Sequence, residues 1–221
     1  MKLWLNALLK YISGLLLTGA ALFLPAGTLA YEGGWRFIML LFIPMLLMGA
    51  ALYIKKPELL EKRLNTREKQ AAQKGVTAAA GIIFLSAFLI AGLDFRHSWT
   101  NVPGRLIWAA SILMLLSYGL YAEVMRENAY LARTVEIQQG QRLIDTGLYG
   151  IVRHPMYTST MLLFLAMPLV LGSWAAFCMM LLYPGVIVLR IINEEKVLAE
   201  GLEGYEEYKQ RVKYRLIPFI W

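Results

Sequence analysis

The stretch from Thr158 to Leu189 contains no Asp, Glu, Lys, Arg or His. It is too long for one ordinary membrane span, which needs about 20 residues, and the pair Gly172-Ser173 interrupts it. We therefore expect two helices folded into a hairpin. Such a hairpin returns the polar clusters at 153–157 and 190–195 to the same membrane face. Because charged groups in a bilayer are costly, they are candidates for a functional site.

The rest of the chain is also strongly apolar. Hydrophobic residues make up 58% of its 221 residues, compared with about 45–50% in soluble domains. Helices satisfy their own backbone groups in lipid, and the alternation of a barrel is absent, so we predict an all-α, polytopic membrane helical bundle. Prolines 44, 168 and 184 lie in apolar segments and favour kinks. About six transmembrane helices are expected: Leu8–Ala30, Trp35–Ile54, Val76–Leu93, Leu106–Met125, Met156–Leu171 and Trp174–Leu189.

The basic residues predict the orientation. With both termini in the cytoplasm, all of the 22 Lys and Arg residues except Arg36, Arg96 and Arg105 lie on that side. We therefore expect an integral membrane protein, of a bacterial plasma membrane, with cytoplasmic termini. The net charge of +7 follows from this topology, with attraction to anionic lipids second, and no pattern typical of nucleic-acid binding is present. The first apolar segment is long for a cleaved signal peptide.

The polar segments predict the domain organisation. We expect a single membrane domain, 1–221, with a peripheral helical pair at 1–54, a catalytic part at 76–221 and a cofactor-binding region at 126–215. The charged loop 55–74 predicts a surface helix or helix pair. Residues 126–152, punctuated by glycines, predict a cytoplasmic cap over the hairpin mouth. Residues 196–213 predict a C-terminal amphipathic helix at the interface, interrupted by Gly201 and Gly204.

Two residue types that often bind metals are sparse. The lone Cys178 lies in the middle of an apolar segment and is interpreted as a small packed hydrophobe. His97 is interpreted as an interfacial anchor, because no second ligand accompanies it. We therefore predict no metal site. Neither a Rossmann fingerprint nor a P-loop is present, so any cofactor must be held by helix ends and the cap.

Five polar residues are expected where the cap meets the hairpin: Tyr149, His154, Tyr157, Arg190 and Glu194. Each alone is open to a structural interpretation as an interfacial side chain or a surface ion pair. Together they favour a functional site, since Arg190 and Glu194 lie one turn apart on one helix face. The segment 156–171 would span only about 24 Å, which would place these groups within reach of a substrate dissolved in lipid.

The stretch from Gly147 to Tyr157, the cluster 190–195 and the motif Gly204-Tyr205-Glu206-Glu207-Tyr208 together resemble the isoprenylcysteine carboxyl methyltransferase family and its phospholipid methyltransferase relatives. The resemblance covers about the last 90 residues. It implies an enzyme with S-adenosyl-L-methionine in a membrane-embedded helical pocket, whose acceptor arrives from the lipid. Ser159 and Glu203 depart from the family pattern, which leaves the acceptor open.

The resemblance also implies roles for particular residues. Arg190 and Glu194 are the catalytic candidates, with Arg190 binding the acceptor and Glu194 the cofactor. The other implied cofactor-binding residues are Gln141, Arg142, Leu143, Ile144, Tyr149, His154, Pro155 and Tyr157.

The predicted function is therefore methyl transfer to a lipophilic, membrane-partitioned acceptor, either a carboxylate or an amine. An activated sulfonium methyl needs mainly alignment with its acceptor, and only an amine must first lose a proton. Two alternatives stay open. One is a sterol-type membrane reductase that uses NADPH, and the other is a transporter or scaffold without enzymatic activity. Membrane lipids are expected partners, and the oligomeric state is not indicated.

Overall fold

The computed structural model describes residues 2–65, 68 and 70–221. Within these residues the chain is helical and has no strand, which confirms the predicted all-α class. A 3-10 turn, Gly147–Gly150, precedes α6. The helices are α1 (Leu3–Ala26), α2 (Glu32–Lys55), α3 (Pro57–Leu64), α4 (Ala71–His97), α5 (Gly104–Glu127), α6 (Pro155–Leu171), α7 (Trp174–Met180), α8 (Tyr183–Gly201) and α9 (Tyr205–Arg211).

Five helical stretches among the described residues are long and apolar enough to cross a membrane. They are α1, α2, α4, α5 and the combined length of α7 and α8. Helix α6 has only 17 residues, as the shortness of its apolar segment indicated. A polytopic helical bundle is thus confirmed, with five long candidate spans and one short apolar helix among the described residues.

The predicted hairpin is present. Gly172 ends α6 in the left-handed conformation with φ +83°, which glycine adopts without steric cost. Ser173 then caps α7 by accepting a hydrogen bond from the backbone N–H of Ala176 at 3.0 Å. Helix α8 returns the chain to the level at which α6 began.

Two expectations in this hairpin were wrong. The predicted kink at Pro184 is instead a break, because α7 ends before Leu181 and Pro184 lies in the first turn of α8, where its missing N–H costs nothing. Cys178 is exposed rather than packed inside the protein. It lies on α7, one of the apolar helices whose outer faces are suited to contact with lipid.

The spanning helices pack closely where small residues allow it. A Cβ atom on Gly92 of α4 would lie 2.5 Å from the carbonyl oxygen of Leu22 in α1, so only glycine fits at this crossing. Outward-facing side chains such as Leu17 and Leu24 remain 71% and 77% exposed. These exposed apolar faces are what a bilayer requires of helices that contact it.

Helix α3 and the residue before it contact the end of α5 and the start of the cap. Lys56 donates to the carbonyl oxygens of Met125 at 3.2 Å and Arg126 at 3.1 Å, and Arg63 donates to that of Ala132 at 3.0 Å. Helix α3 is the helix predicted within loop 55–74. Residues 66, 67 and 69 of that loop lie outside the described residues.

The C-terminal part follows its prediction with one shift of boundary. Helix α8 continues to Gly201, so the first part of the predicted interfacial helix belongs to the last long helix. Gly204 then has φ +77° and starts α9. The two glycines therefore interrupt the helix where the sequence indicated.

Candidate functional site

A chain of three polar side chains joins the two legs of the hairpin. The Tyr157 hydroxyl donates to Oε2 of Glu194 at 2.5 Å and accepts from Nε of Arg190 at 2.8 Å. Arg190 and Glu194 both reach Tyr157 because residues four apart share a helix face. The polar start of α6 and the polar part of α8 therefore meet, as predicted.

Arg190 is held from three sides. Besides its contact with Tyr157, its Nη2 donates to the carbonyl oxygen of Arg133 in the cap at 2.7 Å. Its Nη1 donates to the hydroxyl of Thr77 in α4 at 3.3 Å. A guanidinium has five N–H donors, and two of those of Arg190 have no partner among the described residues. Arg190 is thus fixed in place by three of its donors.

The neighbouring carboxylate belongs to a different cluster. Glu195 is buried, and its Oε1 accepts from Nε of Arg153 at 2.8 Å and lies 3.3 Å from Nε2 of His154. Its Oε2 accepts from Nε of Arg215 at 2.9 Å. Both oxygens of Glu195 are therefore engaged by cationic or ring N–H groups.

This second cluster ties the C-terminal segment to the start of α6. The Arg153 side chain also donates to the carbonyl oxygens of Val212 at 2.7 Å and Lys213 at 3.0 Å. The backbone N–H of Arg153 bonds to the carbonyl oxygen of Tyr214 at 2.9 Å. Such saturated contacts around a buried arginine position the chain and leave little capacity for a ligand.

The glycine-rich turn shapes the wall above the hairpin. Gly147 has φ +55°, and a Cβ there would lie 1.8 Å from Oε1 of Glu127. Glu127 in turn accepts from the backbone N–H of Leu148 at 3.0 Å. The turn places Tyr149 in the cavity wall. The Tyr149 hydroxyl accepts a hydrogen bond from the Asn128 side chain at 2.9 Å. Its pKa is raised above the usual range of a tyrosine, chiefly by burial.

A cavity opens where the cap, α6, α8 and α9 meet. Nine of the ten predicted site residues line it: Gln141, Arg142, Leu143, Ile144, Tyr149, His154, Tyr157, Arg190 and Glu194. The tenth, Pro155, is buried in the first turn of α6 and is not among the lining residues. The stretch 141–144 has irregular backbone. The structure thus brings together residues that are up to 53 positions apart in sequence (141 to 194).

The cavity also has walls that sequence reasoning did not assign. Apolar side chains of α8 and the following turn, Val197, Leu198 and Leu202, form one side. Arg133 lies at the cap side, where partial burial lowers its pKa and the positive charges of Arg63 and Arg190 lower it further. Tyr205 lines the cavity as well. Tyr205 belongs to the motif 204–208, which was the feature of the sequence that could have indicated its place in the cavity.

No group of three or more potential metal ligands occurs among the described residues. His97 stacks on the Trp99 ring with centroids 5.6 Å apart, as suits an interfacial position.

Comparison with known proteins gives two matches. Residues 106–203 match the model of the phospholipid methyltransferase family, which falls in the isoprenylcysteine and phospholipid methyltransferase group of membrane methyltransferases. The match includes α5, α6, α7, α8 and most of the cavity wall. The resemblance predicted from the sequence motifs is thereby confirmed, and methyl transfer at a membrane is the activity that the family indicates.

A second relative has a different activity. The mouse Delta(14)-sterol reductase TM7SF2 is 30% identical to the chain over 91 residues. The aligned part is 40% of this chain and 22% of the reductase, so the chain spans about a fifth of the length of that relative.

Proposed function

We propose that the protein is an S-adenosyl-L-methionine-dependent methyltransferase that acts on a lipophilic acceptor dissolved in the membrane. The observation that carries the proposal is the convergence of nine implied site residues on one cavity at the polar end of the short hairpin. The acceptor group would be a carboxylate or an amine. We expect the cavity to open at the cytoplasmic face, where the basic residues gather.

The cavity residues fit this cofactor. Oε2 of Glu194 is bonded to Tyr157, whereas its Oε1 makes no hydrogen bond within the described part of the chain and lies 4.0 Å from Nδ1 of His154. An open carboxylate oxygen in a partly buried wall suits a cationic ligand. Leu143 and Leu198 supply apolar surface beside it.

When bound, the cofactor would supply a sulfonium methyl group that is already activated for displacement. The protein then mainly aligns the reactants and excludes water, and alignment can be worth about 7–11 kcal/mol. Glu194 would hold the cationic part of the cofactor. Arg190, fixed by Tyr157, Thr77 and the cap, would orient an anionic group of the acceptor with its two remaining donors.

Calorimetric titration of S-adenosylmethionine and of S-adenosylhomocysteine into detergent-purified protein tests this proposal. Glu194→Gln removes the charge, and we expect the affinity for both to fall about tenfold or more, since a charged hydrogen bond is worth roughly 1.5–3 kcal/mol. The matched control is Glu200→Gln, an exposed position on the same helix, which should bind like the unaltered protein. Equal affinity of both variants would contradict the role of Glu194.

The reductase is a second candidate, because of the sterol reductase match and because Arg133, Arg142 and Arg190 line the cavity. Guanidinium groups suit the phosphates of NADPH. Competition separates the two candidates. If NADPH displaces labelled S-adenosylhomocysteine, or binds when the latter does not, the methyltransferase proposal fails.

A further inference from the structure

The hydroxyl of Tyr205 is a buried polar group that the described part of the chain leaves without a hydrogen bond. The residue is 3% exposed and lines the cavity. Its hydroxyl has no hydrogen-bond partner among the described residues. Buried polar atoms of native proteins are nearly always bonded. A buried hydroxyl without a partner among the described residues, on a residue that lines a cavity, therefore points to a group that binds there.

The next tyrosine on the same helix is satisfied. Tyr208 is 2% exposed, and its hydroxyl donates to the carbonyl oxygen of Tyr149 at 2.7 Å. This bond joins α9 to the glycine-rich turn. Helix α9 thus carries two buried tyrosines. The hydroxyl of Tyr208 is bonded to the protein, and that of Tyr205 has no partner among the described residues. Gly204, with φ +77°, sets the direction in which α9 starts and so places Tyr205.

Charges of both signs lie near Tyr205: the carboxylates of Glu194 and Glu195, the guanidinium of Arg153, and the Lys209 ammonium, 6.0 Å from the ring centroid. Burial raises the pKa of its phenol above the usual range, and the charges of Glu195 and Glu194 raise it further. The hydroxyl therefore keeps its proton at neutral pH. Because both oxygens of Glu195 are already engaged, Glu194 is the one of these two carboxylates that has an oxygen without a hydrogen bond among the described residues. A cationic hydrogen-bond donor is the ligand group that this part of the wall favours.

We propose that the Tyr205 hydroxyl is a cofactor-binding group that accepts a hydrogen bond from the α-ammonium group of the methionyl part of the cofactor, beside Glu194. This proposal rests on the proposed function. It assigns a binding residue to a position outside the segment 106–203 that matches the family.

The substitution Tyr205→Phe tests the proposal, because it removes one oxygen and keeps the ring. Two ligands are titrated: S-adenosylhomocysteine, which has the ammonium group, and 5′-methylthioadenosine, which lacks the whole amino-acid part. We expect about fivefold to twentyfold weaker binding of the first and unchanged binding of the second. The melting temperature without ligand should not fall, since the removed hydroxyl makes no hydrogen bond to any described residue.

The matched control is Tyr208→Phe, which breaks the bond to Tyr149. We expect it to lower the melting temperature and to affect the two ligands alike. Unchanged affinity of Tyr205→Phe for S-adenosylhomocysteine would overturn the proposal, as would an equal loss for both ligands. A lower melting temperature of Tyr205→Phe would also overturn it, because the hydroxyl would then have a protein partner. Failure of the unaltered protein to bind S-adenosylhomocysteine is a separate outcome, which overturns the proposed function itself.

Discussion

Glu194 and Glu195 are neighbours in sequence, yet they belong to opposite kinds of environment. Glu195 lies between α8 and the C-terminal segment, where Arg153, His154 and Arg215 surround it. Glu194 lines the cavity and has one oxygen without a hydrogen bond in the described part of the chain. Consecutive residues on a helix point about 100° apart, so α8 turns one carboxylate toward the packed interior and the other toward the cavity.

This difference separates two tasks that one charged motif performs. The cluster around Glu195 positions the backbone that forms the cavity. The group of Tyr157, Arg190 and Glu194 presents side chains inside it. We expect substitutions in the cluster around Glu195 to lower the stability of the protein and substitutions in the group around Glu194 to weaken ligand binding. Experiments that find the opposite would contradict this distinction.

The largest effect is expected for Glu195→Gln. Arg153 has 6% side-chain exposure, and losing its carboxylate partner would leave a buried charge unpaired. Breaking such a pair costs about 3–5 kcal/mol. We expect a large fall in the free energy of unfolding, measured by denaturant unfolding in detergent. Glu194→Gln, the matched change one residue earlier, should alter stability by less than about 1 kcal/mol. Equal stability of the two variants would remove the distinction between the clusters.

A smaller effect is expected for Gly147→Ala, which changes the wall that delivers Tyr149. A non-glycine residue at φ +55° costs roughly 1–2 kcal/mol, and the added Cβ would displace Glu127 from the backbone of the turn. We expect lower thermal stability together with weaker binding of S-adenosylhomocysteine. The control is Gly150→Ala in the same turn, where φ is not positive and the nearest atom to a Cβ lies at 3.3 Å. Similar losses in the two variants would argue against a special role for the conformation of Gly147.

Much of the fold could be predicted because the bilayer leaves few choices. A long apolar segment must be helical in lipid, and each of the six predicted segments contains helix. The hairpin followed from Gly172 and the absence of charge. The predicted helix boundaries were less accurate. The last apolar segment was predicted to end at Leu189, but α8 continues to Gly201, because a helix does not have to end where its apolar residues do. The break at Leu181 had one signal, Pro184, which was interpreted as a kink.

The candidate site could be predicted as a set of residues, but not as two clusters. The motif placed Arg190 and Glu194 together, and the geometry agrees. Glu195 had no assigned role, because its partners Arg153 and Arg215 come together only when the C-terminal segment folds back onto α6. Tyr205 was quoted in the motif, but nothing in its sequence context distinguishes its open hydroxyl from the satisfied one of Tyr208. Such differences arise from contacts between residues far apart in sequence, which local sequence patterns do not indicate.

A further prediction concerns how the C-terminal segment is attached. The Thr158 hydroxyl donates to the carbonyl oxygen of Leu216 at 2.8 Å. Thr158→Val keeps the shape of the side chain and removes this bond, which should cost about 1 kcal/mol. The unfolding free energy of the variant checks this value. A loss as large as that of Glu195→Gln would mean that this hydroxyl, and not the buried ion cluster, is the main attachment.

The smallest effect is expected at the surface ion pair between Arg211 of α9 and Asp145 of the cap, whose side chains are 63% and 34% exposed. This pair also joins the C-terminal region to the cap, but in water a pair of this kind gains little, because solvent screens it and two side chains lose freedom. Arg211→Gln should therefore change the unfolding free energy by no more than about 0.5 kcal/mol and leave cofactor affinity unchanged. Denaturant unfolding at low and high salt provides the measurement. A large, salt-sensitive fall in the unfolding free energy would mean that the surface ion pair holds α9 as strongly as buried contacts such as that of Tyr208 do. The position of Tyr205 would then depend on both kinds of contact.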